Sequence, residues 1–203
     1  VSDREFRNIA DDIKAVSQKE FAVLDDGVKE KMISEITAAK ADGDSVGGVL
    51  ETAVVGLPAG IGEPWFGGVE NVLSSVLFAV PAVKGVEFGA GFALANMRGS
   101  AANDEFFCSG GKIATATNNN GGINGGITNG MPIIFRCAVK PTPTIHKEQN
   151  TVDFIKNENV KIAAGGRHDP CIVHRARVLI DSITAIALCE MLAGRFGTDW
   201  LGE

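Results

Sequence analysis

The sequence predicts an α+β fold, and three patterns carry that expectation. Four stretches place apolar residues at helical spacing, one stretch alternates them at strand spacing, and the two kinds follow no regular βαβ order. A chain of 203 residues with 45% hydrophobic and 22% charged residues can close one packed core, so the expectation is a single compact unit over 1–203.

The elements are read in chain order. Residues 3–16 put Phe6, Ile9, Ala10, Ile13 and Val16 on one stripe, and Ser2 with Glu5 has capping-box spacing. Residues 26–40, entered at Asp25-Asp26 and stopped before Gly43, turn Val28, Met32, Ile33 and Ile36 inward. The segment 46–57 is β-branched and interrupted by glycine, as is 83–92, and both read as strands. Between them, 69–80 carries Val69, Val72, Leu73, Val76, Leu77 and Val80, a helical stripe that Pro81 ends. Ile133, Phe135, Cys137 and Val139 alternate with Ile134, Arg136, Ala138 and Lys140, the pattern of a half-buried strand. Segments 152–155 and 160–163 flank KNEN as a hairpin. The longest helix is expected over 170–196, with Ile172, Ala176, Leu179, Ile180, Ile183, Ile186 and Ala187 on one face. Its apolar residues outside the main stripe (Val178, Leu188, Leu192) imply cover on more than one side. Trp65 and Trp200 are expected to pack. The connections 98–112 and 117–130 are long and glycine-rich, which marks them as functional or disordered.

Composition removes several classes of function. A formal charge of -6 argues against nucleic-acid binding, which uses a basic face. The longest near-apolar run, 72–83, contains Ser74, Ser75 and Pro81 and falls short of the ~20 residues of a membrane span. VSDREF has no apolar signal core. Cys108, Cys137, Cys171 and Cys189 lie far apart without a CxxC, which fits neither a zinc site nor a disulfide scaffold. Reduced thiols in a cytoplasmic protein are expected, with no metal. The chain opens at Val1 rather than Met, as a piece of a longer polypeptide would.

Three segments could carry chemistry. The run TNNNGGINGGITNG (117–130) pairs glycines that permit positive φ and leave backbone N–H groups open to an anion or a flat ring; its plain alternative is loop filler. Lys140-Pro141-Thr142-Pro143-Thr144, at a strand end, suits a phosphate grip or a proline-terminated edge strand. In GRHDPC (166–171), Arg167, His168 and Asp169 supply a cation, a titratable ring and a carboxylate. Asp169 before Pro170 also reads as a helix N-cap. On pattern alone the chain is an anion-binding α+β domain.

Six segments in one order sharpen that reading: VGLPAGIGEPWF (55–66), PAVKGVEFGAGF (81–92), RGSAAND (98–104), NNGGINGGITNG (119–130), KPTPT (140–144) and GRHDPC (166–171). In this order and spacing the chain resembles the chorismate synthase family, strongly over about 43–195 and weakly before residue 25. GDSVGG (43–48) shares the resemblance. Arg167, Asp169, Pro170, Cys171, Ala176 and Val178 fit the family's C-terminal signature, with Asp181 where the family usually has Glu.

The resemblance implies the C-terminal part of such an enzyme, without the Gly-Glu-Ser-His-Gly signature and other histidine and arginine motifs of the N-terminal half. It implies a helical layer between sheets and usually a homotetramer. The implied reaction converts 5-enolpyruvylshikimate 3-phosphate to chorismate by trans-1,4-elimination of phosphate, with reduced FMN as cofactor. By the same resemblance Pro81, Ala82, Gly125, Lys140, Pro141, Thr142, Pro143, Thr144 and Arg167 contact the flavin, and Asp169 is the base. This chain alone is expected to be inactive. The competing readings are a phosphate- or nucleotide-binding module without catalysis and an oligomerisation piece with mobile glycine loops.

Overall fold

The computed structural model describes residues 1–198, so Trp200 lies outside the described residues. The expected mixture of helices and antiparallel strands is present. Among the described residues, helices α1 (Ile9–Ser17), α2 (Asp26–Ala41), α3 (Val69–Phe78), the single turn α4 (Gly99–Ala102) and α5 (Val173–Phe196) accompany nine strands. These are β1 (Gly48–Val54), β2 (Val83–Phe88), β3 (Phe106–Ser109), β4 (Lys112–Thr115), β5 (Ile123–Asn124), β6 (Ile127–Thr128), β7 (Ile133–Val139), β8 (Gln149–Asp153) and β9 (Glu158–Ile162).

The core is built around β7. It lies between β1 and β2, antiparallel to both, in register from Gly48↔Val139 to Val54↔Ile133 on one side and from Val83↔Val139 to Phe88↔Phe135 on the other. Its alternation works as the sequence predicts: Ile133, Phe135, Cys137 and Val139 are buried. That face meets Val69, Leu73 and Leu77 of α3 and Ile180, Ala187 and Leu188 of α5. Burial pushes the Cys137 thiol up to about 11, so it remains an uncharged core residue.

Several elements differ from expectation, each for a local reason. The first helix begins at Ile9 instead of residue 3. The Asp3 carboxylate accepts from the backbone N–H groups of Arg4, Leu24 and Asp25, which ties residues 3–4 to the second segment. The Asp12 carboxylate holds Arg4 and the Arg7 N–H outside the helix, and the Arg4 bond keeps its pKa down at about 2. The Ser2–Glu5 capping box therefore does not form. Helix α2 is capped as read, Asp25 accepting from Gly27 N and Val28 N. Yet it buries no residue; Met32 and Ile36 line a groove of about 930 Å³ between the N-terminal segment, β1 and α5.

The two glycine-rich connections are not structureless. The first contains the hairpin β3–β4 and the second the hairpin β5–β6. Strand β2 stops at Phe88, and 91–96 turn into a 3-10 helix. The 149–162 hairpin begins earlier than read and turns at Asn157, whose φ of 55° closes the loop. Trp65 is 83% exposed, so it does not pack. Of the α5 residues outside the main stripe, Leu188 is buried and Val178 is exposed; Leu179 and Ile186, expected on the stripe, are also exposed, so the buried face is narrower than the sequence predicts. Among the described residues no helix is long and apolar enough to cross a membrane.

Phe135 is fully buried at the middle of the central strand, 5.8 Å from the Phe88 ring. Phe135→Ala is expected to cost about 3–5 kcal/mol, read as a lowered urea midpoint with an unchanged denaturant slope.

Candidate functional site

The two ends of β7 carry different groups. At the Val139 end the chain leaves the sheet as Lys140-Pro141-Thr142-Pro143-Thr144. Ala82, in the left-handed region at φ 73°, accepts from the Lys140 N–H at 2.9 Å, so Pro81-Ala82 and Lys140 share one edge of the molecule. The Ser45 hydroxyl donates to the Thr142 carbonyl at 2.6 Å, and the Thr142 hydroxyl is buried without a hydrogen-bond partner. Pro141 sits where a Cβ on Gly47 would come within 2.9 Å of its ring.

The GRHDPC segment reaches the same end. The Pro170 carbonyl accepts from Val46 N at 2.8 Å, just before β1 begins opposite Val139. Thr144, Lys40, Asp44, Arg167, His168 and Asp169 line a cavity of about 190 Å³ there. His146 and His168 close one side, their rings 5.0 Å apart. Among the described residues, neither Lys140 nor Arg167 has an acidic partner. Lys40 and Arg167 line the cavity with Thr144, and exposed Lys140 begins the segment that leads to it, a set of cations and a hydroxyl suited to an anion.

Asp169 is not the N-cap that its position before Pro170 suggests. Binding of Pro170 to Val46 keeps this stretch alongside β1, and α5 starts three residues later, after Ile172, which offers no side-chain cap. Asp169 instead forms an ion pair with Arg175 in the first turn of α5. Its carboxylate borders the cavity and is partly exposed, so it is accessible to a proton donor.

Gly125 lies elsewhere. It forms the two-residue turn of β5–β6 with Gly126, at φ 59° and 83°, the positive pair that such a hairpin demands. The Gly126 carbonyl accepts from Val69 N at the start of α3, and Gly122 packs against Met131 and Pro132 just before β7. Gly125 is thus at the Ile133 end, separated from Lys140 by the seven residues of β7, roughly 20 Å of strand. Within one chain, Pro81, Ala82, Lys140–Thr144, Arg167 and Asp169 are brought to one end, and Gly125 is not.

The glycines of this loop have distinct roles. Nothing lies within 4 Å of a Cβ added at Gly125, so its backbone is open to a ligand. Gly89 and Gly121 are in backbone contact, and a Cβ on Gly89 would run into the Asn119 carbonyl. Sequence reasoning missed what fixes this loop. Asp104, 7% exposed, accepts from Thr117 Oγ1 at 2.7 Å, Asn119 N at 2.6 Å, Asn120 N at 2.8 Å and Asn120 Nδ2 at 2.9 Å. Burial alone would raise its pKa; the hydrogen bonds from Thr117, Asn120 and Asn119 together bring it below the ordinary value. The one signal was an acidic residue ending RGSAAND, thirteen to sixteen positions from its partners.

Comparison with known proteins gives this geometry a family context. A sequence model of chorismate synthase matches residues 4–193. The chain is 47% identical over 171 residues to chorismate synthase of Thermococcus gammatolerans, covering 84% of this chain and 48% of that protein. It is 50% identical over 152 residues to chorismate synthase of Archaeoglobus fulgidus, covering 75% and 42%. A crystal structure of chorismate synthase aligns with a TM-score of 0.67 at 32% identity, over 83% of this chain and 43% of that one. The chain spans about half the length of the curated relatives it matches.

The glycine geometry yields a graded expectation. Gly89→Ala should cost about 3 kcal/mol, from left-handed strain plus a backbone clash, whereas Gly125→Ala should cost about 1 kcal/mol from strain alone. Thermal denaturation of the two variants checks the order.

Proposed function

This chain belongs to the chorismate synthase family, and we propose that it forms the C-terminal portion of an enzyme converting 5-enolpyruvylshikimate 3-phosphate to chorismate and phosphate. The observation that carries the reading is the convergence of Lys140–Thr144, Arg167 and Asp169 at the Val139 end of β7. In it, Lys140 and the threonine hydroxyls hold the phosphate end of FMN, with Pro81-Ala82 alongside. Arg167 offsets negative charge in the site, and Asp169 accepts the proton lost in the elimination. Reduced FMN, when bound, would supply the transient electron that promotes departure of phosphate. Gly125 offers open backbone to the flavin from the other end of the sheet. The active form is a cytoplasmic homotetramer.

Each role has a consequence. Lys140→Ala removes a charge-assisted contact to an anion and should weaken FMN binding by roughly 1.5–3 kcal/mol, read by quenching of flavin fluorescence. An unchanged affinity would assign the loop to structure alone.

Asp169→Asn separates base from ion-pair partner. Its pair with Arg175 is solvent-exposed, so stability should shift by no more than about 1 kcal/mol. An amide is no base near neutral pH, and turnover of the complete enzyme should fall at least ~100-fold. Phosphate release under anaerobic conditions with reduced FMN is the measurement; near-normal release removes Asp169 from the mechanism. The purified 203-residue chain, lacking the family's N-terminal histidine motifs, should form no chorismate in the same assay.

A further inference from the structure

The hairpin that presents Gly125 cannot hold itself in place. Each of its strands is two residues long, and an isolated two-stranded hairpin is marginal in water even at greater length. Its position therefore comes from its surroundings: the Gly126 carbonyl accepts from Val69 N at 2.9 Å, Ile123 is buried in the core, and the two stems are tied down on either side. The outgoing stem is pinned by Thr128: its hydroxyl donates to the Pro58 carbonyl at 2.7 Å and accepts from Ile61 N at 2.9 Å. The incoming stem, Asn118 to Gly122, has one buried charged anchor, the Asp104 carboxylate.

That anchor joins three loops. Asn119, held by Asp104, donates through its side chain to the carbonyls of Ala101 and Ala102 at the end of α4. Its own carbonyl accepts from Ala90 N at 2.7 Å, which locks the turn after β2 onto the same knot. Asn118 Nδ2 donates to the Pro132 carbonyl at 2.9 Å, immediately before β7. Four donors converge on a carboxylate removed from water, and such a group is costly to bury unless all of them stay in place. The arrangement fixes where the chain enters the glycine turn, together with the end of α4 and the turn after β2.

We propose that Asp104 is a positioning residue of the Gly125–Gly126 turn, fixing its incoming stem and so helping to set where that backbone meets the flavin. It touches no ligand itself and acts through Asn119 and Asn120. The inference rests on the flavin reading above for its functional meaning, and on the hydrogen bonds alone for its structural half.

The test uses the complete enzyme that contains this chain, with two variants. Asp104→Asn turns a four-fold acceptor into a group that presents an amide to its donors; Thr117→Val removes one bond and is the milder change. Three readouts are taken together: amide exchange across 123–128, FMN affinity, and affinity for inorganic phosphate at the Lys140 end. For Asp104→Asn the expected result is at least about tenfold faster exchange in the hairpin and about tenfold weaker FMN binding, the weight of one charge-assisted hydrogen bond. Phosphate affinity and exchange protection of β7 should not move. Thr117→Val should shift both hairpin readouts in the same direction by less. Exchange changes confined to 117–120, or equal loss of FMN and phosphate binding, would overturn the proposal. A wild-type complete enzyme that binds phosphate but no FMN would defeat the flavin reading, and the exchange comparison would still decide whether Asp104 positions the turn.

Discussion

Pairing of β7 on both sides is the constraint on which the rest of the molecule depends. With β1 on one edge and β2 on the other, alternate side chains of β7 must face α3 and α5, and Phe135 and Cys137 are fully buried there. The strand's two ends then become fixed points. From Val139 the chain runs into Lys140–Thr144, held by Ala82 and Ser45. Into Ile133 it arrives from the glycine hairpin by way of Pro132, which is held by Asn118. The core thus sets the separation between the two clusters of site residues.

The two ends treat charge in opposite ways. At the Ile133 end the Asp104 carboxylate is buried and its hydrogen bonds are all made within the protein, so it contributes order and nothing to a ligand. At the Val139 end Lys140 and Arg167 are exposed, and the buried Thr142 hydroxyl has no partner. A satisfied polar group rigidifies; exposed cations without acidic partners are open to an anion. Arg136 shows a third pattern. It bridges the solvent side of the sheet between Glu51 and Glu87, and Glu87 in turn accepts from Phe92 N. This cross-strand set ties the turn after β2 to the central strand.

What the sequence made legible follows from locality. The alternation of Ile133, Phe135, Cys137 and Val139, the stripe of α3 and the Asp25 cap all depend on near neighbours, and the structure bears them out. The start of α5 was misread because Pro170 is bound to Val46, a partner more than a hundred residues away. The first helix was misread because Asp3 reaches Leu24 and Asp25. Asp104 escaped notice for the same reason, as did the separation of Gly125 from Lys140. Motif order identified the family, while the distance between motifs in space required the fold.

The central claim is that one end of the sheet, assembled from Lys140–Thr144 and Arg167–Asp169, forms a single anion site. Amide chemical-shift mapping of this chain during titration with inorganic phosphate tests it most directly. The account predicts that amides of Lys140, Thr142, Thr144 and Arg167–Asp169 shift together along one saturation curve, while those of Asn124–Ile127 stay unchanged. Shifts confined to one segment, or two segments that saturate at different concentrations, would contradict it.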